Sequence, residues 1–135
     1  LYVDDDPDSR LMLVLLMKYA SIDVRAVGTA AQALSLLEQE QFDLYLLDSW
    51  LPDMDGVELC RRVRRYAPLA PILFYSGAAY ETDRLRGLAA GADAYIVKPD
   101  LDGLLNRVTQ LADAVKPTGR LVRRIPRPTP AFATM

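Results

Sequence analysis

The stretch Phe42-Asp43-Leu44-Tyr45-Leu46-Leu47-Asp48 is a short, mostly apolar run that stops on an acid. Residues 42–47 read as a central strand covered on both faces, the usual situation in a parallel sheet. Upstream, Leu1, Tyr2 and Val3 form a first strand; Asp6 and Pro7 then pair as a helix N-cap and first helical residue, opening a helix over 7–19. Residues 22–27 alternate as a second strand, and Gly28 and Thr29 open a helix to about residue 40, with Ala30, Ala33, Leu34 and Leu37 on one face. Downstream come a helix over 57–66 with Arg61, Arg62, Arg64 and Arg65 outward, a strand over 71–75 and a helix over 81–90. A strand over 94–97 and a helix over 101–114 complete the series. This alternation, with right-handed crossovers, predicts an α/β fold: a doubly wound, five-stranded parallel sheet. In such sheets ligands bind beyond the carboxyl ends of the strands, at the topological switch point.

Composition narrows the chemistry. The chain has 135 residues, 51% of them hydrophobic, one cysteine (Cys60) and no histidine. A single cysteine excludes a disulfide framework and any multi-cysteine metal site. Without histidine there is no imidazole acid–base catalysis, Ser-His-Asp triad or His-ligated metal. The longest apolar run, residues 11–17, is seven residues long, against the roughly 20 that cross a bilayer. No membrane association is expected, and a cytoplasmic location is. The chain starts on Leu1 inside a strand, so further residues are expected upstream.

Charge divides the chain. Residues 116–135 hold Lys116, Arg120, Arg123, Arg124 and Arg127 with no acid, so the net charge of -2 splits into +5 there and -7 over residues 1–115. Four of the nine prolines also fall in that tail. Residues 1–115 are therefore expected to be the folded domain, and 116–135 a basic, proline-rich tail or linker rather than a nucleic-acid-binding arm.

The strand ends carry the polar chemistry. The first strand delivers Asp4, Asp5 and Asp6, the third Asp48, the fourth Ser76 and the fifth Lys98. Close carboxylates repel unless a cation intervenes, and carboxylate oxygens without His or Cys suit Mg²⁺. A carboxylate beside a metal site, a hydroxyl and a lysine suits phosphoryl transfer to an aspartate, with metal and lysine neutralising the phosphoryl oxygens.

The stretches Val-Asp-Asp-Asp-Pro at 3–7 and Leu-Leu-Asp-Ser-Trp-Leu-Pro-Asp-Met-Asp-Gly at 46–56, the Ser76-Gly77 step and Gly-Ala-Asp-Ala-Tyr-Ile-Val-Lys-Pro at 91–99 resemble the receiver domain of two-component response regulators. The resemblance covers about residues 1–115 and implies a flavodoxin-like (βα)5 fold with strand order 2-1-3-4-5. It implies that Asp48 is the aspartate phosphorylated by a histidine kinase or histidine phosphotransfer protein. It implies that Mg²⁺ is held by Asp5 directly, by Asp4 through water, by Asp48 and by the main-chain carbonyl of Trp50. Ser76 matches the switch hydroxyl, Lys98 the phosphate-binding lysine and Tyr95 the switch aromatic that turns inward when that hydroxyl is drawn to the phosphoryl group. Lys98-Pro99 matches a cis peptide, and Asp6 is assigned to capping the first helix. The output surface would be the fourth helix, fifth strand and fifth helix, serving a homodimer or an effector. Such a protein is a signalling phosphoacceptor that assists its own phosphorylation and dephosphorylation, not an enzyme with an external substrate. With no histidine, the chain cannot hold its own phosphohistidine, so a separate kinase or phosphotransfer protein, or a domain upstream of Leu1, is expected to supply the phosphoryl group.

The competing readings are weaker. A metal-dependent hydrolase using Asp48 as nucleophile lacks a cap domain or separate substrate pocket, and a dinucleotide carrier needs a loop unlike Asp-Asp-Asp-Pro-Asp after the first strand. A phosphorylation-independent interaction module of the same fold is the main alternative. Two features are particular to this chain: Trp50, a bulky residue expected to screen an acyl phosphate from water, and the all-round apolar residues 11–17, which read equally as a well-covered helix or as an exposed Leu/Met patch for a kinase, a phosphotransfer protein or a second receiver.

Overall fold

The computed structural model describes residues 1–115; the basic tail expected over 116–135 lies outside the described residues. The elements run β1(Tyr2–Val3), α1(Pro7–Tyr19), β2(Ala26–Val27), α2(Ala30–Leu37), β3(Tyr45–Leu47), α3(Gly56–Tyr66), β4(Ile72–Ser76), α4(Glu81–Ala89), β5(Ala94–Val97) and α5(Leu101–Val115). All strand pairs are parallel, in one sheet of order β2-β1-β3-β4-β5. This is the doubly wound α/β fold that the sequence predicts.

Strand periodicity builds two cores. Successive side chains of a strand point to opposite faces. Val3, Leu47 and Phe74 therefore pack with Ala33, Leu37, Leu59 and Val63 of α2 and α3. Tyr2, Leu46, Leu73 and Tyr75 face the other way, onto Leu13 and Met17 of α1 and Leu104 and Val108 of α5. The helices start at polar caps: Asp6 accepts from Ser9 N, Thr29 from Gln32 N and Asp55 from Val57 N. Each satisfies an amide that the first helical turn leaves free.

Several boundaries differ from the sequence reading, for local reasons. β2 covers two residues, because Ile22 N is spent on Met17 O at 2.8 Å beyond the end of α1, where Ser21 takes a left-handed φ of 64°. β3 begins at Tyr45, since Phe42 N donates to the Tyr45 hydroxyl and not to a strand partner. β4 extends to Ser76, whose carbonyl accepts from Lys98 N at 2.8 Å. Arg64 is not outward like Arg61, Arg62 and Arg65. Its guanidinium folds back onto the carbonyls of Ala67, Ala70 and Gly91 and onto Asp93, tying the end of α3 to the loops before β4 and β5.

On α1, Leu13 and Met17 are buried, while Leu11, Met12 and Leu15 are 61%, 57% and 58% exposed, so the apolar run does leave a Leu/Met surface. No helix among the described residues is long and apolar enough to cross a membrane.

Candidate functional site at the strand ends

β1, β3, β4 and β5 converge at their carboxyl ends, and their last polar residues meet there. Asp4 follows β1 and is fully buried. Its Oδ1 accepts from Asp6 N at 3.0 Å, and its Oδ2 accepts from the Tyr2 hydroxyl and from Lys98 Nζ at 2.6 Å. Its main-chain carbonyl accepts from Arg10 Nη1 at 2.8 Å. Asp48 follows β3 and is 5% exposed, with one oxygen accepting from Ser49 N at 2.8 Å and the other 3.5 Å from Lys98 Nζ. Ser76, also buried, faces Asp48, and its Oγ accepts from Ala78 N at 3.1 Å. Lys98 Nζ also lies 5.6 Å from the centre of the Tyr75 ring.

The electrostatics follow from burial. Burial pushes the Asp48 carboxyl up, and the negative charge of Asp4 adds to this; Lys98, Ser49 N and the Ser76 hydroxyl oppose without cancelling it. Burial works against the Lys98 ammonium, but its bond to Asp4 and the charges of Asp48 and Asp4 outweigh that and hold its pKa above the usual value. Burial, then the bond to Asp4, drives the Tyr2 phenol well above its ordinary pKa, so it stays a proton donor.

Asp5 is exposed at the mouth of the crevice, and one carboxylate oxygen from each of Asp4, Asp5 and Asp48 lies within 4.8 Å of the others. Three carboxylates against one ammonium leave an excess of negative charge, and all the donors are hard oxygens. The set fits a divalent, oxygen-ligated cation. Asp6 stands apart from this cluster: it caps α1 and accepts from the Ser9 hydroxyl at 2.7 Å.

Trp50, two residues beyond Asp48, is 66% exposed and bridges to Asp55. One edge of its ring comes near Gly77, where an added Cβ would sit 3.8 Å from Cζ3. Tyr95 on β5 is turned inward: its ring stacks on Phe74 with centroids 5.4 Å apart, and its hydroxyl donates to Ala78 O at 2.7 Å and lies 3.2 Å from Ser49 Oγ. The Lys98-Pro99 peptide is cis. The crevice therefore brings together Asp4, Asp5, Asp48, Ser76 and Lys98, with Trp50 and Tyr95 on its flanks.

Sequence reasoning missed Tyr2, Arg10 and Ser49 as members of the site. Tyr2 had a usable signal, because residues i and i+2 of a strand share a face and Asp4 is two residues on. Arg10 and Ser49 had none short of the fold.

The response regulator receiver domain profile matches residues 1–109. The transcriptional regulatory protein GltR of Pseudomonas aeruginosa is 41% identical over 101 residues, which cover 73% of this chain and 42% of that protein. The DNA-binding response regulator MtrA of Mycolicibacterium smegmatis is 36% identical over 99 residues, covering 73% and 43%. The chain thus spans less than half the length of these curated relatives. Among solved structures, a CheY-like response regulator receiver domain protein from Methanospirillum hungatei aligns with a TM-score of 0.75 at 33% identity, over 87% of this chain and 95% of that one. The strand order, the acidic crevice and these matches agree: the chain belongs to the response regulator receiver domain family.

Proposed function

We propose that this chain is a phosphoacceptor of a two-component phosphorelay, taking a phosphoryl group on Asp48 from a histidine kinase or histidine phosphotransfer protein. One observation carries the reading: Lys98 Nζ lies 2.6 Å from Asp4 and 3.5 Å from Asp48 in a crevice that also holds Asp5 and the Ser76 hydroxyl. An oxygen of ionised Asp48 attacks the phosphorus of the donor phosphohistidine. A P–O bond forms as the P–N bond breaks, and the electron pair stays on the departing imidazole. Lys98 keeps Asp48 ionised by its charge and then pairs with a phosphoryl oxygen; Ser76 donates to another. Asp4, Asp5, Asp48 and the carbonyl of Trp50 would hold Mg²⁺. When bound, that ion supplies charge neutralisation for the phosphoryl oxygens.

These contacts form only in the modified state, so they bias a two-state equilibrium of the segment after β4 and of Tyr95. The readout is the α4/β5/α5 face, for dimerisation or an effector. In this reading residues 1–115 are the receiver, residues 116–135 a basic tail or linker, and the protein works in the cytoplasm as a signalling phosphoprotein, this domain itself engaging neither membrane nor nucleic acid.

The test is intact mass after incubation with a small-molecule phosphodonor, with and without Mg²⁺, on wild type and Asp48→Asn. A single Mg²⁺-dependent phosphoryl adduct on wild type alone is expected. No adduct from a protein that binds Mg²⁺ would instead favour a phosphorylation-independent interaction module.

A further inference from the structure

We infer that Tyr2 is a positioning residue that frees Lys98 to move from Asp4 to a phosphoryl group on Asp48. The inference rests on the phosphoacceptor reading. Tyr2 sits in β1 with its ring in the core formed with Leu46, Leu73 and Leu104. A buried hydroxyl costs stability unless it is used, and here it is used: it donates to Asp4 Oδ2. The same oxygen accepts from Lys98 Nζ at 2.6 Å. Among the described residues these two are its only donors, since Arg10 takes the main-chain carbonyl and Asp6 N takes Oδ1.

The consequence concerns what Lys98 leaves behind. Asp4 is fully buried, so a departing donor is replaced less readily there than at a solvated carboxylate. A carboxylate stripped of its donor in that setting holds the ammonium back. With Tyr2 present, Oδ2 keeps a neutral donor when Lys98 moves the short distance toward Asp48, whose Oδ2 is 3.5 Å from Nζ in the resting state. The Tyr2 proton stays on its oxygen throughout. Tyr2 thus acts through Asp4 and Lys98, and touches neither metal nor phosphoryl group.

The test compares wild type, Tyr2→Phe and Tyr2→Leu by the emission of Trp50, the single tryptophan. Mg²⁺ is titrated first; beryllofluoride, as a phosphoryl analogue, is then titrated at saturating Mg²⁺. Tyr2→Phe keeps the ring and loses only the hydroxyl. We expect beryllofluoride affinity at saturating Mg²⁺ to be about tenfold weaker, the scale of one hydrogen bond to a charged group, and Mg²⁺ affinity to change by less than that. Tyr2→Leu should match Tyr2→Phe, since a packing role would be rescued by Phe and a hydroxyl role would not. Wild-type beryllofluoride affinity in Tyr2→Phe overturns the inference, as does a Mg²⁺ affinity that falls by the same factor. Wild type that binds Mg²⁺ but no beryllofluoride overturns the phosphoacceptor reading itself, and the inference with it.

Discussion

Gly56→Ala should damage the fold and the site together, because this glycine touches the backbone that carries Asp48. Gly56 is the first residue of α3, and its amide donates to Ser49 O at 2.9 Å. A Cβ at position 56 would lie 2.2 Å from the carbonyl oxygen of Asp48, 2.8 Å from Ser49 Cα and 3.1 Å from the Asp48 carbonyl carbon. A relaxed carbon–oxygen contact is about 3.3–3.6 Å, so roughly 1 Å of movement is required. All three atoms are backbone, and no rotamer change relieves the clash. Either α3 backs away, straining the Gly56–Ser49 bond and the Asp55 cap, or the Asp48 peptide shifts. Overpacking of this kind costs about 1–3 kcal/mol, and about 2 kcal/mol lowers the unfolding midpoint of a domain this size by roughly 10 °C. A reacting group displaced by about 1 Å loses on the order of 10²-fold in rate.

The assay is thermal unfolding in EDTA alongside the phosphorylation rate with a small-molecule donor at saturating Mg²⁺. Gly103→Ala is the control. There the added Cβ meets the Asp100 carboxylate at 2.3 Å, a side chain that can swing away, and about 1 kcal/mol of gained helix propensity offsets the loss of the Asp100 cap on Gly103 N. Wild-type unfolding and phosphorylation in Gly56→Ala would refute the reasoning, and so would equal losses in the two variants.

The remaining expectations concern charge, screening and packing. Burial raises the folded-state pKa of Asp48 above its unfolded value, so the native state binds that proton more tightly. The resulting stability is fully present below about pH 3.9 and is lost as pH rises through the folded pKa. Asp48→Asn should therefore raise the midpoint of the metal-free protein at neutral pH and flatten its pH dependence; a lower midpoint at pH 7 contradicts this. Trp50→Asn should shorten the phosphoaspartate half-life, because the bulky Trp50, two residues beyond Asp48, brings its ring edge near Gly77, next to Ser76; an unchanged or longer half-life refutes the screening. Leu13→Ala should cost about 2–5 kcal/mol, since Leu13 is buried between α1 and the sheet. Leu11→Gln and Leu15→Gln, at exposed positions on the same helix, should stay within about 0.5 kcal/mol, as denaturant titration would show.

Much of the site was legible in the sequence because each key side chain ends an apolar run. Asp48 closes residues 44–47 and Lys98 closes 94–97, and parallel packing puts such ends on one edge of the sheet. The helix starts at Asp6 and Thr29 were readable from local chemistry alone; the cap at Asp55 was not read. Arg64 was not readable in this way. It differs from Arg61, Arg62 and Arg65 only in what lies above it, the carbonyls of Ala70 and Gly91, and those arrive from loops far along the chain. Tyr2 was passed over for a different reason: in a strand, a tyrosine reads as an apolar filler, and its hydroxyl gains meaning only beside a buried carboxylate.

The crevice and the outer face of α4 and β5 are joined by two side chains, which explains how chemistry at one could be felt at the other. Tyr95 is the first. Its hydroxyl reaches Ser49, next to Asp48, and the carbonyl of Ala78, whose own amide donates to Ser76 Oγ. Its ring lies against Phe74 and under Gly87 of α4, where an added Cβ would stand 3.0 Å from both rings. The absence of a side chain at Gly87 is thus what lets α4 settle on the inward tyrosine. Asp55 is the second: one oxygen caps α3 at Val57 N, and the other pairs with Arg86 of α4 at 3.1 Å. The exposed pair is worth little energy by itself, but it links α4 to the start of α3, at the end of the loop that follows Asp48. In the proposed phosphoacceptor, a Ser76 hydroxyl drawn from Ala78 N to a phosphoryl oxygen would change what Ala78 O can offer Tyr95, and the close packing at Gly87 would pass that change to α4. Close packing makes that response a change between two arrangements rather than a gradual drift.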